Sequence, residues 1–337
     1  MRNAWDIRLT LAACAGLTAA LVGCVSEAGW PGNAGTEKAV QGNLWVSFDL
    51  SPDDHKIVFS GAGHGGKDLY LLDLPTRRVT RLTDMPDYEN YPAFSPDGHS
   101  VVYEAAASLD RPRYLFVRSL DGKHVRQLTR GPFVADSYPS FSPGGRRVVF
   151  ARAHMFHGDS RGENTWDDFD VYVVRADGTG LRRLTHGNYN GVIQPIFTPD
   201  GRSVLFEQTD TEGGNGVSEQ IAQIDAAGQG PPRVLVKFGM ADASPSFFPG
   251  GERLAFLCND GSGPELYTVR LGGGGPECLN TRRYGPGGSD PQVSPDGRTI
   301  YFLMGYDSEL WQMNADGSGA RRIADRALFS DPMHWKP

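Results

Sequence analysis

Four groups of residues in this chain have types and spacings that could carry chemistry. Gly158-Asp159-Ser160-Arg161-Gly162 has the G-x-S-x-G form of a nucleophile elbow, in which a sharp strand-to-helix turn lifts a serine hydroxyl toward a base. Gly61-Ala62-Gly63-His64-Gly65-Gly66 has the G-x-G-x-x-G form that lets a backbone approach a pyrophosphate at a helix N-terminus. His154 and His157, the acidic run Asp167, Asp168 and Asp170, and His186 with Gln194 offer imidazoles, carboxylates and an amide; zinc or manganese could be held if they converged. Cys258 and Cys278 could pair in an oxidising compartment.

Each chemistry needs a particular element around it, and the periodicity of the chain says which elements are available. The 43 Gly and 23 Pro are spread through the sequence, as frequent tight turns between short strands require, and point to an all-β chain. The segments DLSPDDHKIVFS, AFSPDGHSVVYE, SFSPGGRRVVFA, IFTPDGRSVLFE, SFFPGGERLAFL and QVSPDGRTIYFL superpose without a gap. Their turns begin at Ser51, Ser95, Ser142, Thr198, Phe248 and Ser294, spaced by about 44 to about 56 residues, close to the length of a propeller blade. Each unit reads as an apolar strand, a Ser-Pro-Asp-Gly turn, a β-branched strand, a third strand such as DLYLLDL or DVYVVRAD, and a last one such as RVTRLT. Pro presets φ, Asp bonds the backbone locally and Gly takes the positive φ that other residues resist. The expected fold is a six-bladed β-propeller of four-stranded antiparallel blades over residues 43–337.

These residues resemble the TolB-like propeller family, whose repeat carries Ser-Pro-Asp-Gly-Lys, an apolar strand, a Tyr-containing strand and Arg-x-Leu-Thr. Leu-Thr stands at Leu82-Thr83, Leu128-Thr129 and Leu184-Thr185 and is degraded to Leu279-Asn280 and Ile323-Ala324. The resemblance covers essentially residues 43 to 337 and implies the fold; propellers host unrelated roles, so it implies function only weakly. The protein that gives the family its name carries an α/β domain before its propeller, whereas a short tether precedes Trp45 here. A C-terminal lead-in, Asp331-Pro332-Met333-His334-Trp335, has no blade after it and is expected to close the ring against the Trp45 to Leu50 strand.

Within this frame the two glycine motifs become blade loops. G-x-S-x-G falls in a polar insertion between two strands of blade three, and G-x-G-x-x-G leads into DLYLLDL, a strand with no helix N-terminus to hold a phosphate. Cys258 ends the second strand of blade five and Cys278 begins its fourth, so they lie two strands apart, roughly 9 to 10 Å, and are expected to stay free thiols. The broader propeller group includes oligogalacturonate lyases that hold a metal with His and Gln at the channel. By that resemblance His154, His157, His186 and Gln194 form a candidate metal set.

The first residues, with Arg2 and Arg8 ahead of an apolar stretch from Leu9 to Val22, read as a signal peptide over 1–23. Leu21-Val22-Gly23-Cys24 resembles a bacterial lipobox, which implies a diacylglycerol on Cys24, an N-terminal lipid anchor on the periplasmic side and, with Val25 following, the outer membrane. Residues 24–42 read as a flexible tether. The net charge of −7, with acids and bases interspersed, leaves no basic stripe and excludes nucleic acid as a natural partner.

The segments running from the outer strand of one blade to the inner strand of the next are MPDYENYP, GPFVADSYP, GNYNGVIQP, FGMADASP, YGPGGSDP and RALFSDP. They gather Asp87, Tyr88, Glu89, Phe133, Asp136, Tyr138, Tyr189, Asp242, Tyr284, Asp290 and Asp331 around one opening, where exposed aromatics beside acids could anchor a peptide or a cationic ligand. The expectation is therefore a monomeric, non-catalytic envelope protein, with no catalytic residue and no cofactor, that binds a protein or peptide through this loop face. A metal-dependent polysaccharide lyase and a sensor of a small ligand are the alternatives.

Overall fold

The computed structural model describes residues 46–336 except 64–65, 86–87, 108–110, 154, 159–163, 168, 188, 190, 211–217, 240, 262, 286 and 306–308. For 155–158, 164–167, 210, 218 and 241–242 the backbone alone is described. The protein is a six-bladed β-propeller. Blade one comprises Phe48–Leu50, Lys56–Ala62, Lys67–Asp73 and Arg78–Arg81, paired antiparallel in chain order, as in Phe48 opposite Phe59 and Phe59 opposite Tyr70. Blades two to six begin at Tyr88, Ala135, Gly191, Ala241 and Gly288 and repeat that order. Blade three adds a small hairpin, Met155–Gly158 with Asn164–Asp167, between its second and third strands.

The repeat's turn works as its residue types require. The Ser95 hydroxyl donates to Asp97 Oδ1 at 2.6 Å, that same oxygen accepts from the His99 N–H at 3.0 Å, and the Gly98 N–H donates to the Ser95 carbonyl at 2.8 Å with φ at +69°. The serine or threonine hydroxyl in turn holds the carboxyls of Asp53, Asp97, Asp200 and Asp296 below the ordinary aspartate range. The turns stack around one face of the ring: a Cβ on Gly98, Gly145 or Gly201 would lie 3.7 Å from Pro52, Pro96 or Pro143 of the preceding blade.

Leu-Thr is a clasp at the opposite end of the blade. Leu82, Leu128 and Leu184 are buried, and Thr83, Thr129 and Thr185 accept through Oγ1 from the N–H groups of Leu69, Leu115 and Val171 at 2.8 to 2.9 Å. Blade five looked degraded in sequence, but the clasp has moved by one residue. Leu279 is buried, Asn280 turns through φ +53°, and Thr281 accepts from the Leu266 N–H at 3.4 Å.

Both faces of a blade are apolar, so the core is divided among the seams between blades, with one cluster at each seam. The residue eight places after each turn start is Phe59, Tyr103, Phe150, Phe206, Phe256 or Phe302, and all six are buried. Removing such a side chain from water contributes roughly 1.5 to 3 kcal/mol each.

Closure between blades six and one uses no shared strand, since each blade is built from consecutive segments. The C-terminal segment supplies the contact instead, and reaches further than the Trp45 to Leu50 strand expected from sequence. A short helix, Ala327–Ser330, buries Leu328 and Phe329 in the same cluster as Phe48, Leu50 and Phe59. Phe329 meets Phe59 of the second strand edge-on at 5.3 Å, and Pro332 lies over Gly61, where a Cβ would be only 2.8 Å from its ring. Phe329→Ala is therefore expected to cost about 3 to 5 kcal/mol, read from the midpoint of urea unfolding, while Val125→Ala at a half-exposed edge stays within about 0.5 kcal/mol.

Candidate functional site

The inner strands start at the face opposite the stacked turns, and each of the last five breaks register at one place. The breaks lie between Asn90 and Ala93, opposite Val149 to Ala151, between Ile193 and Ile196, between Ala243 and Ser246, and between Ser289 and Gln292. At every break an Xaa-Pro pair forms a bulge, with Tyr91, Tyr138, Gln194, Ser244 and Asp290 in left-handed backbone at φ between +44° and +56°. Non-glycine residues seldom adopt that backbone, and a following proline biases them toward extended conformations. A bulge re-aims its side chain, and here the side chains meet near the ring axis. The Tyr91 and Tyr138 rings lie 4.1 Å apart, the Gln194 amide of blade four donates to Asp290 of blade six at 2.9 Å, and the Ser244 hydroxyl donates to the same oxygen at 3.2 Å. The repeated YP, YP, QP, SP and DP lead-ins were visible in sequence; proline inside a strand is the sign of a bulge or an edge.

Around this ring the strand ends carry carboxylates in three electrostatic settings. The first is a repeated ion pair between the third and outer strands. Asp68 with Arg81, Asp170 with Arg183 and Glu309 with Arg322 follow it, and in blade five Glu265 pairs with Arg282 in the short turn Thr281–Arg283 just after the outer strand. The second is a fully buried pair: Arg152 donates to Asp136 through Nε and Nη2 at 2.5 and 2.8 Å, and both side chains are buried. The third has no cation among the described residues. Burial first, then the neighbouring Glu219 charge, pushes the Glu207 carboxyl well above its usual range. Burial likewise raises Asp290 against its Gln194 and Ser244 hydrogen bonds. Thr209, on the same strand face as Glu207 and directly opposite Glu219, is buried with its hydroxyl unpartnered.

These settings correct part of the surface expected from sequence. Glu89, Asp136 and Asp290 lie within inner strands rather than on exposed loops, and the Glu89 and Asp136 side chains are buried. Tyr138 is half-buried against Tyr91, Tyr189 packs on Phe206, and Tyr284 packs on Trp311. Tyr88 is half-buried, and Asp331 is exposed with His334 Nδ1 2.8 Å away. Phe133 alone among the named aromatics stands free, 71% exposed at φ +50°. Sequence reasoning passed over Met85, Phe238 and Met333, each more than half exposed, although Met85 and Phe238 lie inside two of the interblade segments. It also missed Glu104 and Glu207, nine residues after their turns start and next to the seam aromatic. Asp87 lies outside the described residues, and for Asp242 only the backbone is described.

The candidate metal set is not assembled by the described part of the structure. His186 is exposed on a loop while Gln194 is committed to Asp290 near the axis. His154 lies outside the described residues, as does the His157 side chain. Among the described residues no group of three or more His, Cys, Asp or Glu is placed to hold a metal ion. Asp170 is buried against Arg183 and Thr185. Ser160 and most of its motif lie outside the described residues. Gly61 to Gly66 joins two paired strands, closed by Gly63 N–H to the Gly66 carbonyl at 3.0 Å, so it is a hairpin loop. Cys258 is buried, Cys278 is exposed, and both are free thiols.

Stacked Ser-Pro-Asp-Gly turns, Leu-Thr clasps and one apolar cluster per seam define a six-bladed propeller of repeated four-stranded units, with its polar strand ends gathered at one mouth. No family model matches the chain. It is 27% identical over 214 residues to the Tol-Pal system protein TolB of Francisella tularensis subsp. mediasiatica, covering 63% of this chain and 45% of that protein. It is 31% identical over 165 residues to the protein of the same name from Anaeromyxobacter dehalogenans, covering 48% and 37%. The crystal structure of TolB from Acinetobacter baumannii superposes with a TM-score of 0.65 at 20% identity, over 80% of this chain and 63% of that one. The domain is a TolB-like β-propeller. The chain spans less than half the length of the curated relatives it matches.

Because its surroundings favour the neutral acid, Glu207 has a folded pKa above its unfolded value of 4.5, and folding takes up a proton there. Its penalty is absent below the unfolded value, grows as pH rises from there to the folded one, and is complete above it. Glu207→Gln, neutral throughout, is expected to be more stable than the parent at pH 8 and to lose that advantage as pH falls toward 4. Urea midpoints across that range check the sign.

Proposed function

We propose that this propeller is a non-catalytic interaction module of the bacterial cell envelope, whose loop face receives a peptide segment of a protein partner. One combination carries the reading: Met85, Phe133 and Phe238 stand exposed on the interblade segments, and the inner-strand ends that these segments lead into or leave hold Glu207 and Asp290 with no cation among the groups that act on either. Exposed apolar side chains on a rigid rim supply anchors, and acids already desolvated favour a lysine, arginine or amino terminus over water. Asp136 serves this face as support, since Arg152 neutralises it. Asp87, Tyr88, Asp242 and Asp331 complete the proposed rim. Two matched relatives bear the name Tol-Pal system protein, which favours an envelope partner.

The same reading places the chain outside the cytoplasm. Residues 1–23 direct export, a lipid on Cys24 anchors the mature chain, 24–42 is its tether, and the propeller from 43 to 337 works as a monomer at the outer membrane. Each acyl CH₂ buried contributes about 0.8 kcal/mol, so two or three chains hold such a domain durably.

Two measurements test these statements. A photo-crosslinking residue at 133 or 238 is expected to trap a discrete envelope protein in intact cells, and the same residue at 125 or 181, on the edge nearer the stacked turns, is not. Equal products from both positions would remove the loop face as the binding surface. Cys24→Ser is expected to move the protein from the membrane fraction to the soluble periplasmic fraction, and an unchanged partition would refute the anchor.

A further inference from the structure

The face opposite the loops is not equally polar all round. In blades two to four the hairpin between the third and outer strands is tied to that blade's first turn: the N–H groups of Leu120, Ala176 and Ala226 donate to the carbonyls of His99, Arg146 and Arg202 at 2.8 to 2.9 Å. Hairpins and turns therefore form one surface at the stacked-turn end. In blade three that surface lacks an acid. Where Asp97 and Asp200 stand in the turns on either side, blade three has Gly144, and Arg146 and Arg147 follow.

Arginines from separate segments meet there. Arg126 of blade two donates across the seam to the carbonyl of Ala176, whose own N–H is bonded to Arg146, and Arg175 Nη1 donates to the Thr179 hydroxyl at 3.2 Å. Arg182 donates to the Ala226 carbonyl at 2.9 Å and to the Ala227 carbonyl. These partners are neutral, so each guanidinium keeps its charge, and Arg126, Arg146, Arg175 and Arg182 are all exposed. The acid among them is Asp177. It accepts from the Thr179 hydroxyl and N–H, which hold its carboxyl below the ordinary range, and the charges of Arg175 and Arg126 add to that effect. Of the flanking acids, Asp121 lies 3.3 Å from Lys123, Asp200 is next to Arg202, and Asp225 adjoins the carbonyls that Arg182 holds. The sector thus keeps an excess of positive charge in a chain whose net charge is −7.

An exposed aliphatic residue stands beside the arginine at the start of each outer strand in this sector. Val125 precedes Arg126 and Leu181 precedes Arg182, at 50% and 44% exposure, and in blade four Val234 follows Arg233 at 50%. They stand singly on neighbouring blades. Cations beside single exposed aliphatics match a surface that offers phosphates at one depth and hydrocarbon just beneath, which is the interface of a bilayer.

We propose that the turn face of blades two to four docks on an anionic membrane surface. Arg126, Arg146, Arg175 and Arg182 meet lipid phosphates, while Val125 and Leu181 enter the headgroup layer. The proposal rests on the reading of the chain as a lipid-anchored envelope protein: the stretch from Cys24 to Val46 extends to at most about 75 Å, which keeps the ring beside that membrane. Salt screens charges beyond about 8 Å, so the sector acts locally in spite of the negative total. Docked this way, the ring turns its loop face away from the bilayer.

The test uses the chain from Val25 to Pro337, which keeps every described residue and carries no acyl group, so the result does not depend on Cys24. Co-sedimentation is read with vesicles of phosphatidylcholine, with and without phosphatidylglycerol. Partition onto the anionic vesicles is expected to be at least about tenfold stronger in about 0.05 M NaCl, and the preference to vanish in about 0.5 M. Arg146→Glu combined with Arg175→Glu is expected to melt within about 2 °C of the parent and to bring the anionic vesicles to within about twofold of the neutral ones. Arg298→Glu combined with Arg321→Glu, at the turn end of blade six, is expected to leave the preference within about twofold of the parent. Leu181→Ser is expected to weaken partition about threefold. Equal partition onto both vesicles, or an unchanged preference in the Arg146 and Arg175 variant, would overturn the proposal. So would capture of soluble hexaglutamate by the parent alone without any vesicle preference, which would give the patch to an acidic protein. Fractionation of Cys24→Ser in high salt, which releases this contact, judges the anchor separately.

Discussion

Every blade in this protein is apolar on both faces, and that single constraint organises the rest. A blade cannot bury itself; it needs a neighbour on each side, and the last must find the first. Phe59, Phe150, Phe206, Phe256 and Phe302, at one position in five repeats, are all removed from water by the blade beside them. The open seam between blades six and one would expose two such faces at once. Phe329 and Pro332 contribute across it where many rings would share a strand. The closing contact is thus side-chain packing from the C-terminal segment, supplemented by an Arg77 bond to the Ile323 carbonyl of the kind that Arg147 and Arg283 also make across their own seams.

Burying both faces also concentrates polar groups at the strand ends, where backbone turns outward. At the stacked-turn end the polarity is local: a serine, an aspartate and a glycine satisfy one another within five residues. At the other end it is distributed between strands and blades, as carboxylates paired with arginines one strand away or left with amides and hydroxyls near the axis. The contrast suits a turn face whose acids are satisfied within each repeat and a loop face with unspent electrostatic capacity. A buried carboxylate without a cation costs the fold stability, and such groups are retained where they meet something else.

The fold was legible because its determinants are local and repeated. Ser-Pro-Asp-Gly specifies a turn through φ preferences and short hydrogen bonds, and six copies in register specify a ring. The site was less legible. Asp136 and Glu89 stand in segments that read as loops because they adjoin proline and tyrosine, yet proline there marks a bulge inside a strand, and the acids before it face inward. Whether an acid is exposed or paired with Arg152, sixteen residues on, depends on which strand lies opposite, and spacing alone carries no record of that. The blade-five clasp shows the reverse case: Thr281 does what Thr83 does, one residue late, because Asn280 takes up the extra length in a left-handed turn.

By itself the amino-acid sequence determined the number of blades, the turn chemistry, the strand order and the identity of the seam aromatics, since each depends on residues within one repeat. Tertiary structure decided which charges are neutralised, which side chains converge on the axis and that Asp54 and Arg77 face Arg321 across the closing seam. Those relations join residues from different blades, up to 267 positions apart between Asp54 and Arg321, and only the closure of the ring sets the distances through which burial and Coulomb forces act.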